Sequence, residues 1–136
     1  MRRAGAISIT VAVLAISGCG GSSGNSPTQV GDQWYRATAA GDGAKLCALS
    51  TADRQSRFIE IAKRLPGGKS VSTCPAAVNL TLKHFGGGER LGKLAKVHVK
   101  LVRQSGSTAE VQAPNAAPLK LVKSGSGWRV SGAGAG

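Results

Sequence analysis

The sequence predicts one α+β domain, with N-terminal helices packed on one face of a curved antiparallel sheet of about four strands. Three observations predict it. Apolar residues recur at helical spacing from Val30 to Phe85. The period then drops to two, from Leu94 onward. Glycine-rich runs stand where helices would end: Gly41-Asp42-Gly43, Pro66-Gly67-Gly68 and Gly86-Gly87-Gly88. At 136 residues the chain has room for one domain rather than two. It holds no run of about 18 apolar residues, which excludes a polytopic membrane protein.

The first helix is predicted over Val30 to Ala40, where Val30, Trp34 and Ala37 or Thr38 share one stripe. A short second helix, Ala44 to Leu49, puts Ala44, Cys47 and Ala48 on one side. Ser50 reads as the N-cap of a third, with Asp53 at N3 and Phe58, Ile61, Ala62 and Leu65 at core spacing. Thr73 or Cys74 caps the fourth, Pro75 sits in its first turn, and Val78, Leu82 and Phe85 follow on one face. The glycine run from Gly86 ends it.

Alternation then predicts a strand over Leu94 to Arg103. Ala95, Val97, Val99 and Leu101 face inward; Lys96, His98 and Lys100 face water. A turn at Gln104 to Ser107 leads into Thr108 to Ala113, with Ala109, Val111 and Ala113 inward. Leu119 and Leu121 belong to a third strand, and Trp128 and Val130 to a fourth, after the turn Ser124 to Gly127. Strand parity adds Lys120 and Arg129 to the basic wet face.

The N-terminus predicts the compartment. Met1-Arg2-Arg3 is a short basic start, followed by an uncharged, mostly apolar run from Ala4 to Ile16, too short to span a bilayer. It closes on Ile16-Ser17-Gly18-Cys19-Gly20, which resembles a bacterial lipobox. The resemblance implies cleavage before Cys19, a diacylglyceryl thioether on its sulfur and acylation (a palmitate-type chain) of its amine. Two or three chains suffice for stable anchoring. Ala4-Gly5-Ala6 matches the twin-arginine pattern poorly, so Sec export is expected. Four regions follow: signal peptide 1–18, lipidated Cys19 with a flexible tether to residue 29, a folded domain over 30–132, and a disordered tail at 133–136.

With Cys19 lipidated, Cys47 and Cys74 remain as an even pair in an oxidising compartment, which predicts a disulfide. Closing that loop stabilises by about 3.6 kcal/mol in the chain-entropy model. Without C-x-x-C spacing or a nearby His the pair is a poor metal set, and no His or Asn is placed to activate a catalytic thiol.

The segment WYRATAAGDGAKLCALS at 34–50, the later Cys74 and the closing LVKSGSGWRVSG at 121–132 resemble small exported NTF2-like domains, the cystatin-like cone. The resemblance covers most of 29–132 and implies a fold more than a function, because that superfamily hosts enzymes, binders and assembly modules. It also implies where a pocket would lie, between sheet and helices. Asp32 and Tyr35 on the first helix, and His84 late in the fourth, are the polar groups to look for there. Few aromatics and a compact sheet argue against a deep pocket.

The chain carries 18 Lys+Arg against 6 Asp+Glu. Nucleic acid is an unsuitable partner for an exported lipoprotein with five aromatics. Anionic lipid or a cell-envelope polymer fits the charge better. No pair of acids stands at catalytic spacing, and no cofactor or metal motif is present. The expectation is a non-catalytic binding or interaction module, anchored by lipid at the outer face of the cytoplasmic membrane, or in an outer membrane if the cell has one. The alternative is a small-ligand-binding or enzymatic domain that uses the cone. The sequence names no protein partner.

Overall fold

A computed structural model describes residues 25–86, 91–125 and 127–133. Four helices come first: α1 (Pro27–Ala40), α2 (Gly43–Ala48), α3 (Ala52–Lys63) and α4 (Cys74–Phe85). Four strands follow as an antiparallel meander in sequence order: β1 (Lys100–Ser105), β2 (Thr108–Gln112), β3 (Leu119–Ser124) and β4 (Gly127–Ala133). The α+β class is as the sequence predicts. The expected signal peptide, Cys19 and most of the tether lie outside the described residues, as do Gly87, Gly88 and residues 134–136.

One face of the sheet buries Ala109, Val111, Leu119, Leu121, Trp128 and Val130 against Val30, Trp34, Leu46, Leu49 and Val78 of the helical layer. Fully burying a side chain of this size stabilises by about 1.5–3 kcal/mol. Gly31 sets the closeness of α1. A Cβ there would stand 2.6 Å from Val99 Cγ2 and 2.8 Å from Val111 Cγ2.

Caps correct three helix starts. α1 begins at Pro27, not Val30, because Ser26 and Gln29 form a reciprocal capping box and Pro27 needs no amide hydrogen there. Residues 25–29, expected in the tether, therefore belong to the folded domain. Asp42 caps α2 by accepting the Lys45 amide, so that helix starts at Gly43. Thr51, not Ser50, caps α3. Ser50 is buried instead: its hydroxyl donates to the Leu46 carbonyl at 2.7 Å, and its backbone bridges to Val130.

The predicted disulfide is present between Cys47 of α2 and Cys74 of α4, with Cα atoms 6.1 Å apart. Two predicted core residues are exposed. Ile61 of α3 is 45% exposed and Phe85 of α4 is 64% exposed, since Ala62, Ala77 and Val78 make the buried contacts of those helices.

The first strand is the largest correction. Lys93–Lys96 form a 3-10 turn, residues 97–99 are unpaired, and β1 starts only at Lys100. Asp32 of α1 accepts the Val99 amide at 2.8 Å, holding that segment to the helix rather than to a neighbouring strand. Val99 is buried as expected, but Ala95 is exposed. Leu101, expected inside, is 48% exposed because it lies on the sheet edge. A bulge between Leu101 and Arg103 inserts Val102 and reverses the parity after it. At the other terminus β4 runs through Ala133, so Ala133 pairs with Leu119 rather than starting the tail.

Candidate functional site

The three groups expected in a cone pocket do not meet. Asp32 has one oxygen on the Val99 amide; the other lies 3.4 Å from His98 Nδ1 and 3.9 Å from Arg36 Nη2. It works as a latch between α1 and the segment before β1. Tyr35 is buried, and that burial pushes its hydroxyl above the ordinary value. His84 is exposed and meets the edge of Phe85, ring centroids 4.8 Å apart.

The predicted basic face divides likewise. Lys100, Lys120 and Arg129 lie on the sheet face opposite the core, as parity requires. Lys96 and His98 do not. Lys96 sits in the 3-10 turn and His98 beside Asp32, because the strand begins after them. Arg129 reaches past the β4 edge and donates to the Ala48 carbonyl at the end of α2, where a cation suits the helix C-terminus.

One residue joins this face that the alternating pattern did not reveal. The Val102 bulge turns Arg103 outward, opposite Glu110, and their side chains pair at 2.9 Å. Lys120 stands across from Glu110 on the other side. Arg103, Ser105, Thr108, Glu110, Lys120 and Ser131 line a groove of about 480 Å³ on this outer face. It carries two cations, one acid and three hydroxyls on a sheet face whose opposite side holds the core. Its chemistry suits recognition of an anionic oxygen-rich group. No set of three metal-ligating side chains gathers among the described residues.

A second arrangement lies on the helical side. The Arg54 guanidinium carbon stands 5.2 Å from the Trp34 ring centroid and 5.0 Å from that of Phe58, while the two rings stack at 6.3 Å. Partial burial, and then the charge of Arg57, lower the pKa of Arg54. Its Nε is buried and has no hydrogen-bond partner among the described residues. Cation–π attraction of roughly 0.5–2 kcal/mol offsets part of that desolvation. Spacing on α3 could have found this cluster, since Arg54 and Phe58 are four apart and share a face.

The charge is mostly unpaired. Of the fifteen Lys and Arg side chains among the described residues, only Arg36 and Arg103 pair with a described carboxylate. Comparison of the chain with family models, curated proteins and solved structures finds no match. What the molecule does has to be drawn from its own residues.

Proposed function

We propose that this protein is an exported lipoprotein whose folded domain acts by binding, held at the outer face of the cytoplasmic membrane, or in an outer membrane where the cell has one. The observation that carries the proposal is the close packing of α1 on the sheet. Where an NTF2-like cone would hold a ligand, the Gly31 backbone lies directly against Val99 and Val111. Asp32 and Tyr35, the groups such a cavity would use, are engaged with the backbone or buried. The groove that does carry convergent polar groups opens on the outer sheet face.

On this reading the domain is a filled NTF2-like fold. Support comes from helices preceding a four-strand meander and from the closing Gly127-Trp128-Arg129-Val130 strand. Export is supported by the Cys47–Cys74 bridge, which persists in oxidising compartments. Anchoring is supported by the sequence Ile16-Ser17-Gly18-Cys19. The test is replacement of Cys19 by Ala, followed by membrane fractionation. Accumulated precursor, or release of the protein from membranes, is the expected result. Unchanged membrane association and unchanged mature mass would overturn the proposal.

A further inference from the structure

Strand register sorts the outer face of the sheet into rows. Lys100 stands opposite Gln112 in the first; Arg103, Glu110 and Lys120 form the second; Ser105, Thr108 and Val122 form the third. Successive rows lie about 7 Å apart, so together they cover about 14 Å along β2. The groove of about 480 Å³ takes in the second and third rows. A further hollow of about 390 Å³ takes in the first, at Lys100 and Gln112. The second row ends at Gly132 of β4, which has no side chain to close the flank of Lys120. Arg129, at the β4 end of the third row, reaches away to the Ala48 carbonyl.

Three cations then share these rows with one acid, and the acid is engaged. Glu110 Oε2 accepts from Arg103 Nη2 at 2.9 Å; its side chain is 21% exposed and that of Arg103 68%. A guanidinium carries several N–H donors in a rigid fork. Glu110 holds that fork in place and leaves most of its donors facing water. Lys100 and Lys120 pair with no described carboxylate. Beside the cations stand the hydroxyls of Ser105, Thr108 and Ser131, which both donate and accept. Half-buried Val122 supplies an apolar floor.

We infer that this face binds an acidic polysaccharide, a sugar chain bearing carboxylates, laid along β2 with its charges on Lys100, Arg103 and Lys120. The cations are set apart along a groove rather than massed at one point. That spacing suits a chain charged at intervals better than a single phosphate. The Arg103 fork matches a carboxylate in two-point contact. The hydroxyls and the Val122 floor match the hydroxyls and C–H faces of sugar rings. A flat bilayer would meet the rim of such a groove and not its lining. This ligand rests on the binding role proposed above and needs no lipid on Cys19.

The test titrates the full chain, in neutral detergent, with polygalacturonate, followed by calorimetry and amide NMR. Binding should weaken as salt rises. Shifts should move along 100–112 and 120–122 and stay fixed along 63–70. Uncharged dextran should not bind. The double variant Lys100→Gln, Lys120→Gln should weaken binding several-fold. Lys63→Gln with Lys69→Gln removes the same charge from a basic hollow at the end of α3 and should change binding little. Equal losses in the two double variants would overturn the groove and leave only attraction by overall charge. Polyphosphate or phosphatidylglycerol vesicles bound through Lys100 and Lys120, with polygalacturonate unbound, would overturn the sugar chain as ligand. Neither result touches the anchor, which fractionation of the Cys19→Ala variant reads separately. Polygalacturonate bound in the groove of a chain without lipid would uphold the ligand and remove the anchor.

Discussion

The two edges of the sheet have similar strands and opposite surroundings. β4 is covered: the Val130 amide donates to the Leu49 carbonyl at 2.7 Å, and the Thr51 amide to the Val130 carbonyl at 3.0 Å. The link between α2 and α3 thus acts as a short extra strand. Among the described residues β1 has no such cover, and all six of its residues are exposed. The difference lies in what fixes the neighbour. The covering link leaves α2 two residues after Cys47, which is bridged to α4. The open edge relies on its own sequence: Lys100, Arg103 and the Val102 bulge discourage another strand from adding to it.

The strongest way to break this contrast is to remove the bridge. Replacing Cys47 and Cys74 together by Ala should lower stability by about 3.6 kcal/mol in the chain-entropy model, read by urea denaturation. Amides of 49–51 should also lose exchange protection before those of β2 and β3. Retention of wild-type stability would show that the covered edge does not depend on the bridge.

A matched pair of truncations sharpens it further. Leu121→Ala, inside the covered sheet, should cost about 3 kcal/mol. Leu101→Ala, the same change on the open edge, should cost less than about 1 kcal/mol. Equal losses would mean that β1 is buried by something in solution.

Gly31→Ala tests how closely the covered face is packed. Overpacking against Val99 and Val111 costs about 1–3 kcal/mol, against a helix-propensity gain of about 1 kcal/mol. A net loss in thermal melting is expected. A rise in melting temperature would reveal slack between α1 and the sheet.

Tyr35 gives the smallest effect, and it is a pH effect. Burial raises its folded-state pKa above the ordinary 10.0, so the folded chain holds the phenol proton more tightly than the unfolded chain. That contribution is fully present below about pH 10 and is lost as pH rises through the folded value. Tyr35→Phe should flatten the alkaline fall in stability. An unchanged slope would place its cause elsewhere.

The helical half was largely legible because its signals are local. Gly41, with φ of 66°, ends α1 where the sequence places the stop, and Cys47 and Cys74 pair as an even set should. Ser26-Pro27-Thr28-Gln29 was also a local signal, a capping box with Pro at N1, hidden inside a run whose composition reads as tether. The segment from Leu94 to Val99 was not legible. Alternation describes any extended stretch with one covered side, and the cover here is α1, fixed by an Asp32 contact 67 residues away in sequence. The outer groove was hidden for a similar reason. One inserted residue, Val102, moves Arg103 to the face that parity would deny it.

The proposed anchoring at a membrane depends on Cys19. Mass spectrometry of the N-terminal peptide, taken from protein purified from its own membranes, reads this most directly. The predicted result is a chain that begins at Cys19 and carries a diacylglyceryl group on sulfur. A mature chain that begins elsewhere, or a Cys19 with an unmodified thiol, would contradict it.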